Sequence, residues 1–414
     1  MKERFLGKKR WSRLNLGWEA VVLAVLLALV LVSNLAPPLE EQLKEHRIFE
    51  QKLYQKKIEV AEQLKSSGYL EGLTYKDTDG DGLPDTLEKK IGTSINKIDT
   101  DGDRLTDYEE YCKYKTDPTK ADSDGDGIPD NDWNERREYV FTIQVKGKIL
   151  SPYDLETMND FFQDARKIKE RKNVLTYEVI IYPNTRPVVI PHKYPIRNLP
   201  AELKKYTERT TLFNYSAEMQ KEIKEIVKDC KTDIEVIRTL RRWFVENTYD
   251  PFGNPGPLMW RYSVKNGKVV KMNDGWVAED LRKWPEKKIL ETFVYGDSMF
   301  KKRTHGTCCS RAILFCTMLR AAGIPTRIAE SVSLKEGQCD HFFNEVFLNG
   351  KWIRADALKG VNVGLLFAPI KIISFGDFEH ADFASTWGKI PASKNPYTTF
   401  EITAQYLGTQ VKEK

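Results

Sequence analysis

Apolar side chains surround the whole circumference of the segment that starts near Cys308, with Ile313, Leu314, Phe315, Met318 and Leu319 leaving no polar stripe. This pattern predicts a helix buried on every side. Gly323 suits the left-handed residue after a helix end, and Pro325 prevents continuation. Further on, His341 to Leu348 and Lys351 to Asp356 flank Asn349-Gly350. That dipeptide between two strand-like runs predicts a two-residue hairpin in which Leu348 faces Lys351. Carried back along the strands, the register sets His341 opposite Leu358. Asp356 then shares a face with His341 and lies diagonal to it, about 7–8 Å away at the backbone. A slip of one residue would put the two on opposite faces.

This arrangement predicts chemistry. Cys308 falls in the first helical turn, where unpaired backbone N–H groups and the helix dipole favour thiolate over thiol. The same N–H groups can hold the oxyanion formed when a thiolate attacks a carbonyl. With His341 as general base and Asp356 as its orienter, the set reads as a Cys-His-Asp acyl-transfer site.

The stretch also resembles the transglutaminase-like superfamily of papain-fold enzymes. The motifs in common are Gly306 to Leu314, Leu319 to Arg327, His341 to Val346, and Trp352 to Asp356, in that order. The resemblance implies an α+β papain-like catalytic domain, a central helix with its cysteine packed on an antiparallel sheet. It also implies Cys308, His341 and Asp356 as nucleophile, base and third member. Phe342-Phe343 stand where Ala-Trp is usual, and Ala357 where Pro is common. Trp276 and Trp284 are the candidates for an indole that helps hold the oxyanion. Cys308, Cys309, Cys339 and His341 would make a zinc set, but without the Cys-x-x-Cys spacing of a zinc knuckle.

A second pattern is a repeat. Asp77, Asp79 and Asp81 recur as Asp99, Asp101 and Asp103 and as Asp122, Asp124 and Asp126, with starts 22 and 23 residues apart. Each repeat has an acid at its ninth position (Asp85, Asp107, Asp130), and the first two have one at the twelfth (Glu88, Glu110). Carboxylates so spaced around a glycine turn predict oxygen-only calcium loops. Arg104 replaces the turn glycine in the second loop, and Trp133 occupies position twelve of the third, so weaker or shared sites are expected there. The block resembles bacterial thrombospondin type 3 repeats, which implies structural Ca2+.

Gly17 to Ala36 is apolar over 20 residues apart from Glu19 at its edge. At 1.5 Å per residue it spans one hydrocarbon core, about 30 Å. Lys2, Arg4, Lys8, Lys9, Arg10 and Arg13 precede it, which predicts a cytoplasmic amino terminus and a single-pass anchor with everything after Pro37-Pro38 extracytoplasmic. Pro37 after Ala36 disfavours cleavage as a signal peptide.

Composition bounds the rest. The 414 residues, 41% apolar and 30% charged, allow one sizeable catalytic domain with smaller extensions. No run of Lys or Arg alternates with aromatics, which excludes a nucleic-acid surface. Six cysteines are too few for a disulfide framework in so long an exported chain.

The expected order is a basic cytoplasmic tail (1–16), transmembrane anchor (17–36), helical stalk (37–70), calcium repeats (71–135), a small α/β region (136–190) and the catalytic domain (191–414). In the small region, strands over Tyr139 to Val145 and Leu175 to Tyr182 flank a predicted helix from Tyr153 to Lys169. A coiled-coil dimer through the stalk stays open, although its apolar heptad is broken. The sequence therefore predicts a membrane-anchored extracytoplasmic thiol enzyme acting on amide bonds of proteins or peptides. Cross-linking transglutaminase activity, or a non-catalytic calcium-dependent surface binding module, are the alternatives.

Overall fold

A computed structural model describes residues 39–133, 135, 139–146, 159–171, 174–182, 185, 187–251, 261–265, 268–273, 283–306, 308–332, 339–357, 360–361, 370–375 and 401–409. The chain divides into two units, residues 1–50 and 51–414. Of the first, residues 39–50 are described and are helical. The predicted anchor, 17–36, lies outside the described residues. Among the described residues no helix is long and apolar enough to cross a membrane.

Helix α1 (Leu39–Ser66) fulfils the predicted helicity of the stalk. Its part within the second unit, however, is not a free stalk. Ala61 and Leu64 are buried, and Leu64 joins a cluster with Tyr69, Leu73, Ile190, Leu203 and Phe347. Lys57 pairs with Glu109 at 2.6 Å. Val60, Ala61 and Leu64 recur at helical spacing, and burying that stripe outweighs the charge of the rest of the surface. The repeat block follows, with α2 (Asp85–Ile91) rising from its first loop.

Strands β1 (Tyr139–Lys146), β2 (Gln163–Arg171) and β3 (Val174–Ile181) form an antiparallel sheet. The helix predicted from Tyr153 to Lys169 is therefore corrected: residues 163–169 are strand, and 153–158 lie outside the described residues. Arg, Lys and Gln favour a helix locally, but the ladder to β3 wins, reinforced by Arg166 pairing with Glu178 at 2.8 Å. The sheet's fourth strand is β11 (Glu401–Thr409), so its order is β11-β1-β3-β2. The predicted border at residue 190 thus does not separate two sheets that are each continuous in sequence.

Helices α3 (Ala217–Ile226), α4 (Asp233–Asn247), α5 (Glu286–Phe293) and α6 (Gly296–Lys302) follow along the chain. Between α4 and α5, β4 (Arg261–Lys265) and β5 (Lys268–Asn273) form a two-stranded ladder. Thr232 caps α4 by accepting from the Glu235 N–H, a residue suited to that position.

Helix α7 (Cys308–Ala321) is buried almost all round, as its apolar circumference predicts. Each buried Leu, Ile or Phe there contributes about 1.5–3 kcal/mol. Gly323 takes φ 82°, and the Ile324 N–H bonds back to Leu319 O at 2.9 Å, closing the helix end as expected.

One face of α7 packs on an antiparallel sheet of order β10-β6-β7-β8-β9, made from β6 (Thr326–Val332), β7 (Cys339–Leu348), β8 (Lys351–Asp356), β9 (Gly360–Val361) and β10 (Ile370–Phe375). The last strand, β11 (Glu401–Thr409), pairs with β1.

The two faces of this central sheet have different partners. Ile328, Phe342, Val346, Leu348, Ile353 and Ala355 join the α7 core. Phe347 turns the other way, into the cluster that holds Leu64, Tyr69 and Leu73. On the same side, Arg354 Nη2 meets Asp160 Oδ2 at 2.8 Å. The repeat block and the small sheet thus back the central sheet instead of acting as a spacer.

Candidate active site and calcium loops

The β7–β8 hairpin has the predicted register: Leu348 faces Lys351, and pairing continues to Asn344 opposite Ala355. Asn349 (φ 39°) and Gly350 (φ 81°) both take the positive φ that a two-residue turn needs, and these residue types tolerate it. Further back in β7, His341 pairs with Ser331 of β6. The His341 side chain and Leu358 lie outside the described residues, as do Trp276 and the side chain of Cys339.

Cys308 is the first residue of α7 and is half-buried. It shares a shallow cavity with Arg311, Asn344, Asp356 and the two phenylalanines Phe342 and Phe343. Two of the three predicted members, Cys308 and Asp356, are therefore brought together. The segment that leads into Cys308 is well braced. His305 stacks on Phe244, ring centroids 5.4 Å apart, and its Nδ1 lies 3.1 Å from Gly306 O. Burial lowers the His305 pKa and favours the neutral ring. Arg311 Nε also donates to Gly306 O, at 3.1 Å. Trp284 packs beside Phe293, a neighbour of the same core.

Two residues of this cavity stand within the motifs at positions to which the sequence assigned no role. Asn344 donates to Ala312 O at 2.9 Å, tying β7 to α7, while its Oδ1 is buried without a hydrogen-bond partner. Arg311 brings a cation to the cavity wall. Strand alternation between Phe342 and Val346 already places residue 344 toward the helix, and that was the available signal.

The motif residues without chemistry prove to be interlocked. Arg327 Nε meets Glu345 Oε2 at 2.7 Å, both buried, and its guanidinium lies 4.0 Å from the Trp352 ring centroid. They fix β6, β7 and β8 against one another.

The first, third and fifth aspartates converge in all three loops, with a carboxylate oxygen from each within 4.8 Å of the others: Asp77, Asp79, Asp81; Asp99, Asp101, Asp103; and Asp122, Asp124, Asp126. The backbone paths match. Asp77 accepts from the Gly80 and Gly82 N–H groups, as Asp99 does from Gly102 and Arg104, and Asp122 from Gly125 and Gly127. Arg104 keeps this path at φ 83°, a left-handed conformation that costs a non-glycine residue strain.

The ninth-position acids have a further task. Asp85, Asp107 and Asp130 accept from the backbone and hydroxyl of Thr78, Thr100 and Ser123, so each closes its loop. Trp133, at the twelfth position of the third loop, is buried with Val140, Ile180 and Tyr182 and donates to Glu178 at 2.6 Å.

Residues of the first two loops fit a hard divalent ion. Asp79 Oδ2, both Glu88 oxygens, Asp101 Oδ2, Asp103 Oδ2 and Glu110 Oε2 are buried without hydrogen-bond partners. Burial first, then neighbouring carboxylates, push Glu88 up to about 8 and Glu110 up to about 9. Oxygen donors that crowd and repel in this way are satisfied by a calcium-sized cation.

Against known proteins, residues 282–357 match the transglutaminase-like superfamily, and residues 77–93 and 99–121 match the bacterial TSP3 repeat. The chain thus contains a transglutaminase-like domain preceded by bacterial TSP3 repeats. No curated protein matches. Among solved structures, a protein from Cytophaga hutchinsonii described as a candidate cysteine protease is similar at 14% identity and TM-score 0.38, over 67% of this chain and 93% of that one. The periplasmic domain of TgpA from Pseudomonas aeruginosa aligns at 11% identity and TM-score 0.29, covering 53% of this chain and 87% of its own. Red sea bream transglutaminase aligns at 11% and 0.25, covering 52% and 45%.

Proposed function

We propose that the protein is a thiol amidohydrolase acting on proteins or peptides, held by residues 17–36 in the membrane with its catalytic domain extracytoplasmic and Ca2+ bound in its repeats. The observation that carries the chemistry is the position of Cys308 at the amino end of α7, in one cavity with Asp356 and beside the strand that holds His341. Cys308 gives its proton to His341, and the thiolate attacks an amide carbonyl. Backbone N–H groups of the first α7 turn hold the oxyanion. The C–N bond breaks as His341 returns the proton to the leaving amine, and Asp356 keeps the imidazole oriented. Water, deprotonated by His341, then cleaves the thioester and regenerates the thiol. Calcium supplies structural charge neutralisation in the loops and takes no part in these steps.

Iodoacetamide titration across pH, with calcium present, tests this reading. Cys308 should be alkylated ahead of Cys112 and Cys230, and His341→Ala should remove that advantage. Equal reactivity of the three cysteines would sink the catalytic reading. Product analysis with an added primary amine separates hydrolysis from cross-linking.

A further inference from the structure

Asn349 and Lys351 flank Gly350 at the tip of the β7–β8 hairpin, and both reach the first acidic loop. Asn349 Nδ2 donates to Asp77 Oδ2 at 3.0 Å, with the asparagine only 3% exposed. Lys351 Nζ donates to the backbone carbonyl of Asp81 and lies 3.7 Å from the Tyr108 ring centroid. Leu64 closes the contact, 3.1 Å from where a Cβ on Gly350 would stand. The second loop is held differently: Asn131 donates to Asp103 O, and Tyr54 bonds to Asp99.

We infer that the first loop is the seat of the hairpin, and that Asn349 and Lys351 are positioning residues through which Ca2+ at Asp77, Asp79 and Asp81 sets the placement of β7 and β8. Without a divalent ion, three converging carboxylates repel and the loop opens. Asp77 Oδ2 and the Asp81 carbonyl then leave the hairpin together, because both belong to the same six-residue turn. The strands released are those bearing His341 and Asp356. The effect on catalysis rests on the function proposed above; the coupling of ion to hairpin does not. Such coupling is reciprocal, so hairpin contacts that calcium strengthens must in turn strengthen calcium binding.

Hydrogen exchange on the full chain, titrated with calcium against a chelator and read on peptides spanning 339–356, tests this. Hairpin amides should lose protection as calcium is withdrawn. Asn349→Ala should raise the calcium midpoint of that protection, and weaken calcium binding at the first loop, by the same factor of about three to ten. Asp79→Asn should abolish the calcium response of the hairpin, whereas Asp101→Asn, in the second loop, should leave it in place. Hairpin protection indifferent to calcium, an unmoved midpoint in Asn349→Ala, or equal effects of the two aspartate variants would overturn the inference. A calcium-responsive hairpin beside an unreactive Cys308 would keep it and reject only the enzymatic reading.

Discussion

Arg354 and Asp160 form an ion pair sealed from solvent, with Nη2 2.8 Å and Nε 2.9 Å from Asp160 Oδ2. Arg354 lies two residues before Asp356 in β8, and Asp160 lies at the start of the small sheet. Gln163 Oε1 accepts a further bond from Nη2 at 3.3 Å. The pair therefore fixes the strand carrying the proposed third catalytic member to a region distant in sequence.

Breaking this pair should be costly. Asp160→Ala leaves a guanidinium buried without its counter-charge, and denaturant unfolding should show a loss of about 3–5 kcal/mol. The double variant Asp160→Ala with Arg354→Met should recover most of it. A loss under about 1 kcal/mol would mean that water reaches the site.

Asn344→Leu keeps the side-chain volume but removes the donor to Ala312 O. Ala312 O keeps its place in the helix ladder, so the lost bond costs only about 0.5–1.5 kcal/mol, and Cys308 should lose alkylation rate as α7 shifts against β7. Thermal unfolding and the alkylation time course report the two effects separately.

Calcium binding should release protons. In the closed loops burial, then neighbouring carboxylates, push Glu88 up to about 8 and Glu110 up to about 9, and a bound cation favours their charged forms. Calorimetric titration in buffers of different protonation heat should give apparent enthalpies that vary with the buffer. Chelation should lower the melting temperature and weaken the near-ultraviolet signal of buried Tyr69 and Tyr108.

Asp233 supplies a pH dependence outside the loops. Burial pushes its carboxyl up to about 7, against backbone N–H bonds from His192 and Ile234 that pull it down. A raised folded-state value means that the native state holds the proton more tightly than the unfolded chain. Its contribution is complete below the ordinary value near 3.8 and is lost as pH rises through 7. Asp233→Asn should flatten this fall, by at most about 4 kcal/mol between pH 4 and pH 8. Unfolding curves at those two pH values decide it; an unchanged slope would assign the dependence to other groups.

Local signals made much of this molecule readable. An all-round apolar helix ending at Gly323, an Asn-Gly turn and a strict strand period placed α7 and the hairpin register within a residue. The aspartate spacing likewise located all three loops. What escaped was decided by distant partners. Residues 163–169 favour a helix by composition and become strand because β3 offers a ladder. The stripe at Val60, Ala61 and Leu64 became meaningful only once Phe347 was beside it. Nothing in the spacing of Asp85, Asp107 and Asp130 announces that each also bonds to the hydroxyl of its loop's second residue.

The pairing of β11 with β1 has a consequence for biosynthesis. Between Lys146 and Glu401 the ribosome must deliver the entire α7 core before the sheet's first strand meets its last neighbour. Until those final residues emerge, β1 keeps an open edge of unpaired amides and carbonyls, which another chain can occupy. A nascent chain stalled or clipped before residue 401 would carry every proposed catalytic residue and still be prone to self-association.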